Sequence, residues 1–200
     1  MVSFIAAGVL FYNYHITALA LNQNAMASIQ SATEVVEPRV KPERQTVKAV
    51  YLTAYSAGNK NKINEIIKLL NKTELNAVVI DIKDYSGKIL YDSRLDLVKE
   101  LKAKNNHIGD ARALIKKLHS NGIYVIARQT VFQDPWLASK KIEWAIKNKN
   151  GGVWRDNKGL AWVDPTRQEV WDYNLAIAKE AIGLGFDEIN FDYIRFPSDG

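Results

Sequence analysis

Residues 185–197 read GFDEINFDYIRFP, and this segment decides the fold that the sequence predicts. Apolar and polar side chains alternate along it, as in a strand, which places Glu188, Asn190 and Asp192 on one face. Such a face is unusual for an element that serves packing alone, because a buried charge is costly unless it is paired or used. The segment therefore predicts a strand that ends in a functional residue.

Strand and helix patterns alternate in the chain that precedes this segment. Apolar runs predict strands at 47–54, 77–82 and 123–127. Apolar residues at helical spacing predict helices from about residue 60 to 71, near 108–118, over 137–148 and over 165–184. With the quoted segment as the fourth strand, the order predicts an α/β fold with a parallel sheet.

Each predicted strand is followed by unusual polar residues. They are Tyr55 and Ser56 after the first strand, Asp81, Lys83 and Asp84 at the second, Arg128 and Gln129 at the third, and Asp192 and Arg195 at the fourth. A parallel α/β barrel keeps its active site at this edge. An open doubly wound sheet binds ligands there too, so the pattern alone leaves both architectures open.

Carboxylate chemistry is the function that these residues favour. Glycoside hydrolysis needs two carboxyl groups, about 5–5.5 Å apart for retention or roughly 6.5–9.5 Å for inversion. Glu188 and Asp192 are not that pair, because four strand residues separate their backbones by about 13 Å. Asp192 is the candidate at the strand end, and Asp81 is expected to face it across the opening. Arg128 and Arg195 are expected to keep a carboxylate ionised by pairing with it.

Aromatic residues lie in or beside the predicted loops, and flat rings stack on the apolar faces of sugars. Tyr55 and Trp162 are candidate substrate-binding residues, together with Asp84 at the second strand end. Loop aromatics are equally common in small satellite cores, so the pattern supports a sugar ligand without requiring one.

Other chemistries find little support in the sequence. The chain has no cysteine, no glycine-rich phosphate loop and no dinucleotide-binding fingerprint. His107 and His119 are predicted to be solvated helix residues, so we expect neither a metal site nor a cofactor. The net charge of +5 comes from scattered basic residues, which does not favour a nucleic-acid partner.

The N-terminal residues predict export. Residues 2–21 carry no charge and are long enough to span a bilayer, and Ala25-Met26-Ala27 resembles a signal-peptidase site. Residues 1–27 are therefore predicted to be a signal peptide or a membrane anchor, two alternatives that stay open. Residues 28–46 are polar and contain two prolines, which predicts a flexible linker before a folded domain at 47–200. The protein is expected to be secreted or anchored at the outer face of the membrane.

Four motifs together resemble a known family. VKAVYLT (47–53), VVIDIKDYSG (78–87), IARQTVFQDP (126–135) and NFDYIRFP (190–197) are similar to a bacterial glycoside-hydrolase-like domain of the TIM-barrel clan, distantly related to α-amylases. The resemblance implies about four βα units, the N-terminal half of a (β/α)8 barrel, and thus a fragment. It implies Asp192 as the nucleophile, although Asn190 stands where α-amylases have arginine, and it implies a general acid after a fifth strand.

The resulting function prediction is a glycoside hydrolase that acts on a cell-envelope or extracellular polysaccharide. As this fragment it is expected to be inactive. The alternatives are a non-catalytic glycan-binding module and a structural envelope protein on a degenerate barrel.

Overall fold

The computed structural model describes residues 46–198. In this part of the chain, four parallel strands form one sheet in the order β1-β2-β3-β4. The strands are β1 Ala49–Leu52, β2 Ala77–Lys83, β3 Tyr124–Thr130 and β4 Glu188–Asp192. The helices are α1 Ala54–Gly58, α2 Lys60–Leu70, α3 Asp96–Glu100, α4 Ala111–His119, α5 Pro135–Lys140 and α6 Gln168–Leu184, with a 3-10 turn at Ile142–Trp144.

The strand order distinguishes the two architectures that the sequence leaves open. Each strand pairs with the one that precedes it along the chain, as consecutive strands do in a (β/α)8 barrel. A doubly wound sheet would instead reverse its strand order at a switch point. The predicted α/β fold, with four βα-type units in barrel order, is therefore confirmed for the described residues.

Burial explains why β2 is the clearest strand in the sequence. Its residues AVVIDIK are almost all buried, because helices cover one face of the sheet and the other face points to the barrel interior. The helices on the outer face each bury an apolar stripe. In α2 that stripe is Ile63, Ile66, Ile67 and Leu70, and Asn59 caps the helix by accepting hydrogen bonds from the backbone N–H groups of residues 61 and 62.

Three segments differ from the sequence prediction. The helix predicted over 137–148 is wrong beyond its first part, because α5 ends at Lys140 and only a 3-10 turn follows. Ile142, Trp144 and Ile146 alternate with other residues, a period that favours extended pairing over a helix. Residues 145–163 accordingly fold back in antiparallel bridges that join Ala145 to Val163. The other two differences are the short helices α1 and α3, neither of which the sequence predicts: α1 begins at the last residue of a predicted strand, and α3 lies between two predicted elements.

The predictions for residues 1–45, including the signal peptide or membrane anchor and most of the linker, lie outside the described residues. Within residues 46–198, no helix is both long enough and apolar enough to cross a membrane.

Candidate active site

The register of the sheet brings charged residues together at the carboxyl ends of the strands. Asp81 on β2 lies beside Arg128 on β3, and Arg128 lies beside Asn190 on β4. Asp192 follows two residues later and therefore points to the same face. Side chains from three strands thus meet at the edge where a parallel barrel holds its active site.

Arg128 joins two carboxylates. Its Nη1 donates to Asp81 Oδ1 at 2.7 Å, while its Nε and Nη2 donate to Asp192 Oδ2 at 2.9 and 2.5 Å. Burial opposes the charge of the guanidinium, but hydrogen bonds to the two carboxylates outweigh it and raise the pKa of Arg128 above its ordinary value. The guanidinium is therefore a fixed positive charge between Asp81 and Asp192.

Tyr51 completes this cluster from β1. Its hydroxyl donates a hydrogen bond to Asp81 Oδ2, and its ring faces the Arg128 guanidinium at 5.8 Å. Partial burial and the hydrogen bond to Asp81 raise the pKa of Tyr51 to about 12, so its phenol stays neutral at ordinary pH. Both oxygens of Asp81 accept hydrogen bonds and its side chain is only 7% exposed, so Asp81 is placed to orient Arg128 and has little access to a ligand.

A β-bulge separates Asp81 from the next charged residue. The register between β2 and β3 shifts between Asp81 and Lys83, so Lys83 pairs with Gln129 and points to the helix-covered face. There its Nζ lies 2.8 Å from Asp134 Oδ2 and donates to Asn174 Oδ1 at 3.0 Å, fully buried. Burial raises the pKa of Asp134 although Lys83 opposes this shift. The ion pair ties β2 to the N-terminus of α5, and the hydrogen bond to Asn174 ties it to α6; both lie behind the candidate site.

The backbone is strained directly after Asp192. Tyr193 has a φ of 55°, in the left-handed region that a bulky residue rarely adopts. In this conformation its N–H donates to Asp192 Oδ1 at 2.7 Å. Asp192 therefore receives hydrogen bonds on both oxygens, while its side chain remains 41% exposed. A carboxylate that is held on both oxygens and still reaches solvent has the orientation and the access that a nucleophile needs.

A cavity of about 650 Å³ opens beside this cluster, and we call it the first cavity. It is lined by Tyr51, Thr53, Ala54, Tyr55, Asp81, Asp84, Tyr85, Leu90, Arg128, Gln133, Lys158, Leu160 and Tyr193. Tyr55 is 66% exposed and stacks on the His107 ring, with centroids 3.9 Å apart. Asp84 Oδ1 accepts hydrogen bonds from the N–H and the hydroxyl of Ser86. An aromatic ring that is fixed in position and lies beside polar groups is typical of cavities that bind small ligands.

The structure brings most of the sequence-predicted site residues together. Tyr55, Asp81, Asp84 and Arg128 line the first cavity, and Asp192 is hydrogen-bonded to Arg128 without lining the cavity itself. Trp162 differs, because it is 2% exposed and its Nε1 donates to Asp156 Oδ2, so it has no free face for a sugar. Arg195 differs as well.

Arg195 does not pair with a carboxylate at the strand end, contrary to the sequence prediction. Its guanidinium instead lies 5.1 Å above the Trp162 ring, and its Nη1 donates to the neighbouring carbonyl of Phe196. Its side chain lies beyond the strained turn at Tyr193, which directs the chain away from Asp192. For the described residues, the ion pair of Asp192 is with Arg128.

Two residues of the site are absent from the sequence prediction. Tyr51 fits an apolar strand, and its polar hydroxyl is not used in the prediction. Because neighbouring strand residues point to opposite faces, Tyr51 lies on the face opposite to Val50 and Leu52, and this could have placed it on the inner face. His107 is not a solvated helix residue as predicted, because it precedes α4 and stacks on Tyr55. No local signal marks that stack. His119 is on a helix as predicted, and its Nε2 lies 2.9 Å from Asp187 Oδ2.

Comparisons with known proteins agree with this architecture. A family model described as "Putative glycosyl hydrolase domain" matches residues 49–200. The crystal structure of a hypothetical protein from Ruminiclostridium thermocellum is 46% identical, with a TM-score of 0.72, over 74% of this chain and 78% of its own. No curated protein matches the chain.

More distant structures share the fold alone. A maltogenic α-amylase from Thermotoga neapolitana is 16% identical with a TM-score of 0.53, over 76% of this chain and 40% of its own. A chitobiase from Flavobacterium johnsoniae is 14% identical with a TM-score of 0.55, over 74% of this chain and 23% of its own. The chain thus spans less than half of either enzyme, and its four βα units correspond to part of a TIM barrel.

Proposed function

Because the chain belongs to this glycosyl hydrolase domain family, we propose that its strand ends bind a carbohydrate and that Asp192 is the catalytic nucleophile of a glycoside hydrolase. The observation that carries the proposal is the state of Asp192. Arg128 donates twice to one of its oxygens, the Tyr193 N–H donates to the other, and 41% of the side chain is exposed.

These contacts suit the chemistry of a retaining glycosidase. A nucleophilic carboxylate must be ionised when it attacks the anomeric carbon, and a paired guanidinium favours the charged form. Each carboxylate oxygen has two lone pairs, so Oδ1 of Asp192 keeps one beside its bond from Tyr193. The resemblance to α-amylases implies a general acid after a fifth strand, whereas residues 46–198 contain four strands. The proposal therefore assigns the nucleophile alone.

The first cavity supports the carbohydrate part of the proposal. The exposed ring of Tyr55 is held in place by His107, and Asp84 and Lys158 supply polar groups around it. A pyranose has a flat apolar face and a rim of hydroxyls, which such a cavity matches. We further propose that the substrate is a cell-envelope or extracellular polysaccharide, since residues 2–21 predict export.

An activated substrate tests the nucleophile without a general acid. A dinitrophenyl leaving group departs unprotonated, so 2,4-dinitrophenyl glycosides of a panel of sugars should release the phenol with the full chain. Their 2-fluoro analogues should label the peptide that carries Asp192, as detected by mass spectrometry. Asp192→Asn should lower the rate at least about 10³-fold. Asp92→Asn is the matched control, because Asp92 is an exposed partner of Lys104 outside the first cavity.

The outcomes distinguish a glycoside hydrolase from a non-catalytic glycan-binding module. Release that is unchanged in Asp192→Asn would exclude Asp192 as the nucleophile. If no glycoside reacts but oligosaccharides bind with equal affinity to the wild type and to Asp192→Asn, the chain is a glycan-binding module.

A further inference from the structure

A second cavity lies on the same face of the barrel as the first. It measures about 420 Å³ and is lined by Glu143, Ala145, Ile146, Lys147, Trp154, Asp164, Arg167, Phe196 and Pro197. These residues come from the segment between β3 and α6 and from the segment after β4. Both segments leave the carboxyl ends of strands, as do the residues of the first cavity. The two cavities therefore open toward the same side of the sheet.

The folded-back segment 145–163 gives the second cavity a fixed wall. Bridges pair Ala145 with Val163 and Lys147 with Val153, and the Trp154 N–H donates to the Ile146 carbonyl at 2.8 Å. Trp162 anchors the same segment in the core. Trp154 is thus an aromatic side chain on an ordered loop, which loses little conformational freedom when a ligand binds.

The lining of the second cavity suits a sugar. Trp154 is partly exposed and Phe196 is 61% exposed, so both rings offer apolar faces. Two acidic residues, Glu143 and Asp164, and two basic residues, Lys147 and Arg167, surround them. Their charges cancel, so the lining favours a neutral ligand whose hydroxyls can both donate and accept hydrogen bonds.

A short stretch of chain separates the two cavities. Tyr193 lines the first cavity and Phe196 lines the second, and three extended residues span at most about 10 Å. Arg195 lies between them on the buried ring of Trp162. An oligosaccharide of a few linked units is long enough to reach from one cavity to the other.

We propose that the second cavity is a carbohydrate subsite, so that this chain takes an extended, neutral polysaccharide across its strand ends and not a single terminal sugar. This inference rests on the proposed function of the first cavity. An enzyme that binds a polymer in both cavities can cleave within it, because the bound polymer continues beyond the first cavity.

The test compares long and short oligosaccharides of one linkage. The probes are maltohexaose and maltose, cellohexaose and cellobiose, and chitohexaose and chitobiose, titrated calorimetrically into the full chain. Wild type should bind one hexasaccharide more tightly than its disaccharide. Trp154→Ala and Phe196→Ala should each weaken the hexasaccharide about tenfold and leave the disaccharide unchanged, because one stacking contact is lost. Tyr55→Ala should weaken both probes.

Tyr124→Ala is the matched control, because Tyr124 lies at the opposite ends of the strands, and it should change neither affinity. Far-UV circular dichroism checks that each variant is folded, and Phe196 is exposed enough to be replaced without loss of the core. Equal effects of Trp154→Ala and Phe196→Ala on both probe lengths, or no effect on either, would overturn the second subsite while leaving the first cavity intact. A wild type that binds none of the six probes would overturn the proposed function and this inference together.

Discussion

Replacing Arg128 by methionine should destabilise the protein through the carboxylate that it leaves behind. Asp81 is only 7% exposed and would lose its positive partner, whereas Asp192 is 41% exposed and would regain water. Breaking a buried pair costs about 3–5 kcal/mol and an exposed pair at most about 1 kcal/mol. Because the Arg128 side chain is itself 22% exposed, we expect Arg128→Met to lower the free energy of unfolding by about 3 kcal/mol.

The double variant Arg128→Met/Asp81→Asn gives the reasoning its sharpest test. Removing the orphaned charge should restore about 1–2 kcal/mol, so the double variant is expected to be more stable than Arg128→Met alone. The carboxamide oxygen that Asp81→Asn introduces still accepts the hydrogen bond from the Tyr51 hydroxyl, so the phenol keeps its partner.

Urea unfolding followed by tryptophan fluorescence and by far-UV circular dichroism measures both effects. Lys104→Met is the control, because it breaks an exposed ion pair with Asp92 and should cost less than about 1 kcal/mol. If the losses of unfolding free energy from the two substitutions simply add in the double variant, the reasoning is refuted. Additivity would mean that Asp81 carries no charge that depends on Arg128.

Two further predictions concern the backbone and alkaline pH. Gly87→Ala should lower the free energy of unfolding by at least about 2 kcal/mol more than Gly109→Ala. Both glycines have a positive φ, but a Cβ at residue 87 would lie 1.9 Å from Asp134 Oδ1, whereas a Cβ at residue 109 would meet nothing within 4 Å. Equal urea midpoints of the two variants would contradict this prediction. The free energy of unfolding should also fall as pH rises from 10 to about 12, because the unfolded chain loses its tyrosine protons near pH 10 while folded Tyr51 keeps its proton to about pH 12. Tyr51→Phe should flatten this decline between those pH values, and an unchanged slope would show that the Tyr51 phenol is not protected.

The sequence is most informative where a strand is buried on both faces. The almost continuous apolar run of β2, which Asp81 interrupts, predicts its position to within one residue, since burial on both faces leaves little choice of composition. The candidate residues at strand ends are also predictable, because a parallel sheet gathers those ends at one edge. Asp81, Arg128 and Asp192 belong to this class.

The contacts between these residues are not predictable from the sequence. The bulge after Asp81 decides that Lys83 points away from the site, and a one-residue shift of register leaves no mark in the local sequence. The φ of Tyr193, which turns Arg195 away from Asp192, is imposed by the surrounding structure against the preference of the residue. The helix prediction fails over 142–146, where Ile142, Trp144 and Ile146 recur with a period of two that favours extended pairing over a helix.

The order of the strands in the sheet also has a consequence for how the chain folds. Ala49 pairs with Ala77, Ala77 with Tyr124 and Ile126 with Glu188, so the segment between partners lengthens with each pairing. The cost of closing a loop rises with its length, which favours pairing of β1 with β2 before β3 and β4 join. During synthesis from the N-terminus, the strand with which each new strand pairs has therefore already been made. The sheet can grow by adding each strand to its open edge, without rearranging any earlier pair.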